Sequence, residues 1–413
     1  MNELVRDQWF WSLALTLISK YDFQIIESPF TSNSTFVDER GQRLPHVLLL
    51  RNKGRHFELL RLQSANFVWN STLGRDIRSF ADDLPTMKKK LKANKLDVYN
   101  IYLFPFTPIE YPFEALAQLQ EITEGKTTLY SSAAYFKAID LATHDLVDLS
   151  SLHLANLHID KDLLYNEAYQ LVYSLSIDEM KGRYRNAEKE QEERFKQVFF
   201  YGKPILTISF LCINLILYLL MEYVGSSTDM ETLRRFGAKW PADIIAGEYW
   251  RFLTPMFLHI GFFHIMVNSL ALYHLGGTVE RIFGSKKFLW IYLFAGFLGT
   301  LSSFTFNPHL AAGASGAIFG CFGALLYFGW KRKNLFFRTL GSDILFVLIL
   351  NIGIGFALPI VDNYGHLGGL LGGFLAAGML GLPLVKQSLL EKLIFLILGV
   401  AIILLCIFFS PLG

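Results

Sequence analysis

Cysteine and charge are both scarce in this sequence of 413 residues. Its three cysteines, Cys212, Cys321 and Cys406, lie in apolar runs and form no CxxC pair, so neither a disulfide framework nor a zinc site is expected. Only 18% of the residues are charged and the formal net charge is +2, which argues against the clustered cationic face of a nucleic-acid-binding protein. The first apolar run, Trp9 to Ile18, is short and has no cleavage site behind it, so no secretory signal is expected there.

The charged residues are divided unequally between the two halves of the chain. Residues 1–204 hold 52 of them, and residues 205–413 hold 22. The first half therefore has an ordinary soluble composition and the second half has a membrane composition. A single water-soluble globule is excluded.

After Pro204, seven segments have the length of about 20 apolar residues that a spanning helix needs. They cover residues 205–221, 257–276, 288–306, 311–330, 344–360, 363–382 and 393–409. The loops after the second, fourth and sixth segments carry nine Lys and Arg, whereas the short loops on the opposite side carry none. Because positive loops face the cytoplasm, we expect a multi-pass protein of the plasma membrane with its amino-terminal domain inside the cell.

The amino-terminal region alternates helical and strand-like patterns, which predicts a soluble α/β domain over residues 1–178. Helices are predicted at 3–20, 75–93, 113–124 and 161–175, and strands at 23–27, 46–51, 57–62 and 98–105. This order resembles restriction-endonuclease-like folds, but no catalytic carboxylate and lysine set accompanies it, so nuclease activity is not expected. A densely charged stretch then predicts a solvated linker helix over residues 179–204.

Five residues of the amino-terminal domain could in principle hold a divalent metal. They are His144, Asp145, His153, His158 and Asp160. Their spacing matches no strong metal-binding motif, so surface or core histidines are expected instead.

Polar and ionisable side chains are costly inside spanning helices, so the few that occur are candidates for function. They lie near the outer ends of the second, fourth and sixth segments, and they are His259, His264, Asn268, Ser315 and His366. At about 1.5 Å per residue, Ser315 and His366 each lie about 6 Å below the start of their segment. The two side chains thus share a depth, as a nucleophile and its base must.

These residues supply the groups that acyl transfer requires. A serine hydroxyl needs a base to take its proton and donors for the oxyanion that forms on attack. His366 is the candidate base, and Ser315 lies in a first helical turn, where backbone N–H groups lack partners. His264 and Asn268 are four residues apart, so they share one helical face and can donate to the same oxygen.

Glycines predict that the fourth and sixth segments pack closely. The repeats are Gly365, Gly369 and Gly373 on one segment and Gly316, Gly320 and Gly323 on the other. Small residues at such spacing let two membrane helices approach each other. Close packing here would bring Ser315 within reach of His366.

At these positions the sequence resembles the rhomboid family of intramembrane serine proteases, over about residues 200–413. The motifs that carry the resemblance are Trp250-Arg251, His259…His264…Asn268, Gly276-Gly277-Thr278-Val279-Glu280-Arg281, Gly313-Ala314-Ser315-Gly316 and Asn363…His366. The resemblance implies a rhomboid-like six-helix core over residues 205–390 and a seventh helix over residues 391–413. The large amino-terminal domain resembles that of a bacterial subgroup of Gram-positive type.

The resemblance also implies roles for individual residues. Ser315 and His366 would form a catalytic dyad, and His264, Asn268 and the backbone N–H of Ser315 would form the oxyanion hole. The implied reaction is hydrolysis of a peptide bond in a transmembrane segment of a membrane-protein substrate, near the outer membrane face. The substrate would enter laterally between the second and fifth helices, and no metal or organic cofactor is needed.

Further residues are expected to support this site. His259, Gly313 and Asn363 belong to the matching motifs. Many family members carry a tyrosine four residues after the serine, against which the base stacks, and Phe319 keeps that ring without the hydroxyl. Asp362 lies four residues before His366 and could complete a triad, although the start of a helix is also where a capping aspartate is expected.

Two other functions stay open on the sequence alone. A non-catalytic rhomboid-like protein would bind membrane clients, but such relatives typically lack the serine or the histidine. A proton-relaying transporter would need ionisable groups that continue to the cytoplasmic side, and the fourth and sixth segments have none below Ser315 and His366. The amino-terminal domain is expected to be a regulatory or client-binding adaptor.

Overall fold

The computed structural model describes residues 2–27, 44–53, 56–65, 70–91, 93–104, 121–124, 126–136, 147–148, 154–358 and 361–412. The chain divides into two compact units, Met1–Arg194 and Phe195–Gly413. Each unit has its own hydrophobic core.

The first unit is built on a mixed β-sheet. Its described strands are β1 (Gln24–Glu27), β2 (His46–Lys53), β3 (His56–Ser64), β4 (Lys95–Phe104), β5 (Glu121–Glu124), β6 (Thr127–Phe136) and β7 (Val147–Asp148). Their order across the sheet is β1-β2-β3-β4-β6-β5, and β7 pairs with β6. β1, β2 and β3 are antiparallel, whereas β3, β4 and β6 are parallel. Parallel neighbours need a crossover connection, and helix α2 (Asn70–Lys90) supplies the one between β3 and β4.

Helices cover both faces of this sheet. On one face α1 (Asn2–Lys20) and α3 (Lys161–Ser174) bury apolar side chains such as Trp9 and Leu164. On the other face α2 buries a second cluster around Ile77. β3 is accordingly buried along most of its length, as expected for a strand covered on both faces.

The charged helix α4 (Ile177–Phe199), predicted as a solvated linker, packs on the first unit over its first turns. Met180 and Tyr184 are fully buried in the core beside α1. The side chain of Gln191 exchanges two hydrogen bonds with the backbone of β1. The first unit therefore extends beyond residue 178, because two apolar residues one helical turn apart anchor an otherwise charged helix.

Two other parts of the first unit differ from expectation. Residues 121–124 form the strand β5 instead of the end of a predicted helix, and residues 113–120 lie outside the described residues. β6 was not predicted, because its small and polar residues lack the alternation of a half-buried strand.

The second unit is helical. Its described α-helices are α5 (Ile205–Val224), α6 (Met230–Phe236), α7 (Pro241–Ile245), α8 (Gly261–Ala271), α9 (Gly277–Phe283), α10 (Ser285–Phe306), α11 (Ser315–Lys331), α12 (Lys333–Thr339), α13 (Gly341–Ala357), α14 (Asn363–Leu380) and α15 (Leu389–Phe409). By length and composition, α5, α10 and α15 are long and apolar enough to cross a membrane. The remaining predicted spans correspond to helices that are shorter or richer in glycine.

The predicted span 257–276 is not one continuous helix. The span starts in a 3₁₀ turn, Thr254–Phe257, and α8 begins only at Gly261, which has a positive φ of 74°. α8 then continues through a π-helical turn, Leu272–Gly276, into α9. π-turns inside helices are often found at functional sites.

Candidate active site

Backbone contact between α11 and α14 positions the site. A Cβ added to Gly369 would overlap the carbonyl oxygen of Gly316, and one added to Gly373 would overlap that of Gly320. A Cβ on Gly316 would lie 3.3 Å from the carbonyl oxygen of Gly365. The neighbour of Ser315 in sequence thus touches the neighbour of His366, as the glycine repeats predict.

Ser315 is the first residue of α11, so it lies at the helix start and not about a turn below it as the predicted span implied. The preceding residues 307–314, here called the serine loop, run extended and bent instead of helical. Gly313 in this loop has a φ of 148°, which favours glycine. The first backbone N–H groups of α11, including that of Ser315, have no intrahelical acceptor.

His366 is in the first turn of α14, and its ring stacks on Phe319 of α11. The ring centroids are 4.2 Å apart and the planes differ by 11°. Phe319 lies one helical turn after Ser315, so the stacking places the imidazole on the same side of α11 as the hydroxyl. In the described part of the chain no hydrogen bond joins Ser315 to His366, and the His366 Nδ1 is buried without a partner. Such bonds are often long in free enzymes and shorten when substrate is bound.

His264 directs a hydrogen-bond donor toward the Ser315 hydroxyl. Its Nδ1 accepts the backbone N–H of Ile260 at 3.3 Å, so the neutral ring carries its proton on Nε2. A Cβ placed on Gly313 would lie 2.9 Å from that Nε2 and 3.7 Å from the Ser315 Oγ. The absence of a side chain at Gly313 therefore leaves the space in which the imidazole and the hydroxyl face each other.

Asn268 and His259 flank this arrangement from the same stretch of chain. Asn268 is nearly buried one turn after His264, and one N–H of its side-chain amide donates to the His264 carbonyl at 3.0 Å. The amide has a second N–H that remains for another acceptor. The fully buried His259 accepts the backbone N–H of Ala314 through Nε2 at 3.4 Å, so it contacts the serine loop directly.

Asp362 and Asn363 fix the start of α14. The Asp362 carboxylate accepts the Gly365 N–H at 3.2 Å, which is the geometry of a helix cap. Asn363 donates from its side chain to the Gly355 carbonyl at 2.9 Å and so ties α14 to α13. Both residues act on the backbone that carries His366.

Lys239 is a buried cation next to this site, and the sequence reasoning missed it. It is fully buried, and its ammonium donates to Ser303 Oγ at 3.0 Å and to the Asn307 carbonyl at 2.7 Å. Burial lowers the pKa of Lys239 to about 8, while the Asp362 carboxylate acts in the opposite direction. In the sequence this lysine is one of several charges in a long loop, and nothing in the pattern distinguishes it.

A cavity of about 50 Å³ lies beside the serine. Its wall includes Ser315, Gly365, Asp362, Lys239 and Thr300. Because one water molecule needs roughly 10–15 Å³ of such volume, this space can hold a few waters.

The described residues contain no group of three or more His, Cys, Asp or Glu side chains that could hold a metal ion. Of the residues considered from the sequence, His144, Asp145 and His153 lie outside the described residues. Asp160 caps α3 by accepting the Leu163 N–H.

Comparison with known proteins agrees with the fold of the second unit. The rhomboid domain model matches residues 246–383. The rhomboid protease GluP of Bacillus subtilis is 35% identical over 366 residues, which is 88% of this chain and 69% of that protein. The chain belongs to the rhomboid family of intramembrane serine proteases, and it is a membrane protein that hydrolyses peptide bonds.

Other relatives match shorter parts of the chain. The putative rhomboid protease YdcA of Bacillus subtilis is 30% identical over 181 residues, covering 43% of this chain and 89% of that protein. Rhomboid-like protease 1 of Toxoplasma gondii is 39% identical over 155 residues, covering 36% of this chain and 52% of that protein. The long match to GluP also includes much of the amino-terminal unit, which is consistent with a subgroup of Gram-positive type.

Proposed function

We propose that this protease cleaves transmembrane segments of membrane-protein substrates near the outer membrane face through a dyad of Ser315 and His366. The observation that carries the proposal is the stacking of His366 on Phe319, one turn from Ser315, with the His264 Nε2 facing the same point. A nucleophile, a base and an oxyanion donor thus converge from three helices.

In the proposed reaction His366 takes the proton of the Ser315 hydroxyl while Oγ attacks the substrate carbonyl carbon. The negative oxygen that forms is stabilised by N–H donors from His264, Asn268 and the Ser315 backbone. The tetrahedral intermediate collapses, the C–N bond breaks, and His366 returns its proton to the leaving amine. The product is an acyl-enzyme on Ser315.

Hydrolysis of the acyl-enzyme requires a water molecule beside Ser315. The cavity lined by Ser315, Gly365 and Thr300 supports this step, because it has room for a few waters next to the hydroxyl. His366 would accept a proton from that water and return it to the Ser315 Oγ as the acyl group leaves. Apart from this water, these steps use side-chain and backbone groups of the chain.

Substrate entry is proposed to occur laterally, between α8 and α13. Both helices present large exposed apolar side chains, such as Phe262 and Phe263 on α8 and Phe346 and Ile349 on α13. A transmembrane helix satisfies its own carbonyl groups, so the substrate has to unwind locally before Ser315 can reach one.

The proposed membrane orientation follows from the charges of the short loops. Nine Lys and Arg mark one side of the second unit, which we assign to the cytoplasm together with the amino-terminal unit. Ser315 and His366 lie at the helix ends away from those loops. The site would then open to the outer face of the plasma membrane.

The alternative, a non-catalytic client-binding protein, is not favoured by the site. Such a protein needs neither a base stacked next to a serine nor a donor aimed at the same point. The amino-terminal unit, with its own cores and sheet, is proposed to bind clients or adaptors on the cytoplasmic side. Unchanged cleavage of every native substrate after deletion of residues 1–194 would contradict that role.

The decisive experiment compares the wild type with Ser315→Ala and His366→Asn in liposomes that contain a model transmembrane substrate. A fluorophosphonate, which forms a Ser Oγ–P bond and releases fluoride, reports the nucleophile independently of substrate choice. We expect cleavage and labelling in the wild type and neither in the two variants. Ser209→Ala is a matched control, because the Ser209 hydroxyl donates to the Ile205 carbonyl of its own helix. Labelling that persists in Ser315→Ala would refute the assigned nucleophile.

A further inference from the structure

Lys239 joins the chain before α7 to the end of α10. It is fully buried. Its ammonium donates to Ser303 Oγ at 3.0 Å, to the Ser303 carbonyl at 3.4 Å and to the Asn307 carbonyl at 2.7 Å. A lysine ammonium has three N–H donors and no acceptor, so all of its hydrogen-bonding capacity is used at this helix end.

The backbone of Lys239 holds the serine loop at a second point. Its N–H donates to the Ala311 carbonyl at 2.9 Å, and the Ala311 N–H donates back at 3.2 Å. The Gly313 N–H donates to the Pro255 carbonyl at 2.9 Å. The Lys239 side chain therefore fixes the first residue of the serine loop, and its backbone fixes the middle.

Lys239 also belongs to the wall of the active-site cavity. Lys239 and Ser315 line the same space, and Asp362 lines it from the start of α14. The other groups that face the ammonium are neutral, namely Ser303 and Asn307 at the end of α10. Among the described residues, Asp362 is thus the charged group that acts on the Lys239 ammonium.

We propose that Lys239 is a positioning residue for the proteolytic reaction: its positive charge holds the end of α10 and the serine loop in the geometry that directs Ser315 toward His366. The proposal rests on the proposed dyad, because it concerns the placement of that nucleophile. Lys239 does not touch the reacting atoms in this role.

The charge matters more than the volume of this side chain. A neutral amine has only two N–H donors and presents a lone pair to the third oxygen, so one buried carbonyl or hydroxyl loses its partner. The end of a helix also carries partial negative charge, which favours a cation. Because burial lowers the pKa of Lys239 to about 8, the protonated form predominates at neutral pH and is lost as the pH rises through that value.

The test measures the rate of fluorophosphonate labelling and the rate of substrate cleavage from pH 6 to 10, with the full chain in liposomes. We expect the wild-type rates to fall on the alkaline side near pH 8. Lys239→Met keeps the length of the side chain and removes the charge, so both rates should be about tenfold lower at pH 7 and should no longer fall on the alkaline side. Lys286→Met, which changes an exposed lysine, should match the wild type.

A second variant shifts the titration without changing Lys239. Asp362→Asn keeps the helix-capping oxygen but removes the carboxylate that favours the ammonium. The alkaline fall in rate should move to lower pH in this variant. A lysine with a purely structural role gives no such shift, so an unmoved profile in Asp362→Asn, or an alkaline fall retained in Lys239→Met, overturns the proposal.

If Lys239→Met does not fold, the pH profiles of the wild type and of Asp362→Asn still test the proposal. Thermal unfolding of each variant identifies that case. Failure of the proposed dyad gives a different result, namely no labelling of Ser315 in the wild type at any pH. A wild type that is labelled with a flat alkaline profile contradicts only the role of Lys239.

Discussion

The ring of His366 lies parallel to the ring of Phe319, with 4.2 Å between their centroids, and this contact fixes the plane of the candidate base. Stacked aromatic pairs contribute about 0.5–1.5 kcal/mol beyond their buried area. Phe319→Leu should therefore reduce the labelling rate of Ser315 about 3- to 10-fold, whereas Phe319→Tyr, which keeps the ring, should stay within about twofold of the wild type.

The comparison of these two variants separates stacking from packing. Both replacements are apolar or aromatic and of similar size, so the melting temperature should change little. Equal labelling rates for Phe319→Leu and the wild type would mean that stacking does not orient the imidazole. A markedly faster Phe319→Tyr would mean that a hydroxyl on this ring assists the reaction.

Gly313 is predicted to be intolerant of a methyl group because of His264. A Cβ at this position would lie 2.8 Å from the His264 Cε1, so Gly313→Ala should displace the proposed oxyanion donor. Loss of one such donor typically costs about 10²- to 10³-fold in rate. Gly247→Ala is a matched control, since Gly247 also has a positive φ of 106° but no atom within 4 Å of its added Cβ. Similar cleavage rates for the two variants would contradict the role of His264.

Glu280 is expected to hold the start of α5 in place. Its fully buried carboxylate accepts the Leu206 and Thr207 backbone N–H groups at 2.9 and 2.7 Å, and the Ser285 hydroxyl at 2.6 Å. Glu280→Gln replaces an acceptor by an NH₂ group that faces donors, so the free energy of unfolding should fall by about 2–4 kcal/mol. Thermal unfolding in detergent measures this change, with the exposed Glu231→Gln as the control. A melting temperature equal to that of the control would show that the carboxylate is not needed.

Stability and activity should respond to alkaline pH in opposite directions. The pKa of Lys239 is lowered on folding, so the unfolded chain binds more protons between about pH 8 and its ordinary value. Stability rises with pH wherever the unfolded state binds more protons. The melting temperature of the wild type, taken relative to Lys239→Met, should thus increase from pH 8 to pH 10 while the cleavage rate declines. A relative melting temperature that decreases over this interval would contradict the buried position of the ammonium.

The boundary of the first unit can be tested with two fragments. Residues 1–194 include Met180 and Tyr184, which are fully buried, whereas residues 1–178 lack them. Burial of two large side chains contributes about 3–6 kcal/mol, so the longer fragment should be the more stable by a comparable amount. Urea unfolding of both fragments measures the difference. Equal midpoints would show that α4 is dispensable for the fold.

The sequence was sufficient to predict features that depend on local pattern. The glycine repeat on α14 predicted its contact with α11, and the spacing of His264 and Asn268 predicted their common face. Most helices and the first four strands were predicted close to their described bounds. These features follow from periodicity, which is read directly from neighbouring residues.

Features that depend on tertiary contacts were not predictable in this way. The start of α11 at Ser315 depends on the extended path of the serine loop, which pairs with Lys239 far away in sequence. The burial of Lys239 depends on the same pairing, so the lysine could not be told from an ordinary loop charge. The strand β6 depends on its neighbours β4 and β5, because its own residues show no alternation.

The contact of Gly316 with Gly365 has a consequence for the evolution of this protein. The separation of α11 and α14 is set by main-chain atoms, so no change of side chain elsewhere can restore it once either helix gains a methyl group at the contact. Variation in substrate preference must therefore accumulate in helices other than α11 and α14. The contact between α11 and α14 should therefore stay unchanged while the outer surfaces of the protein vary.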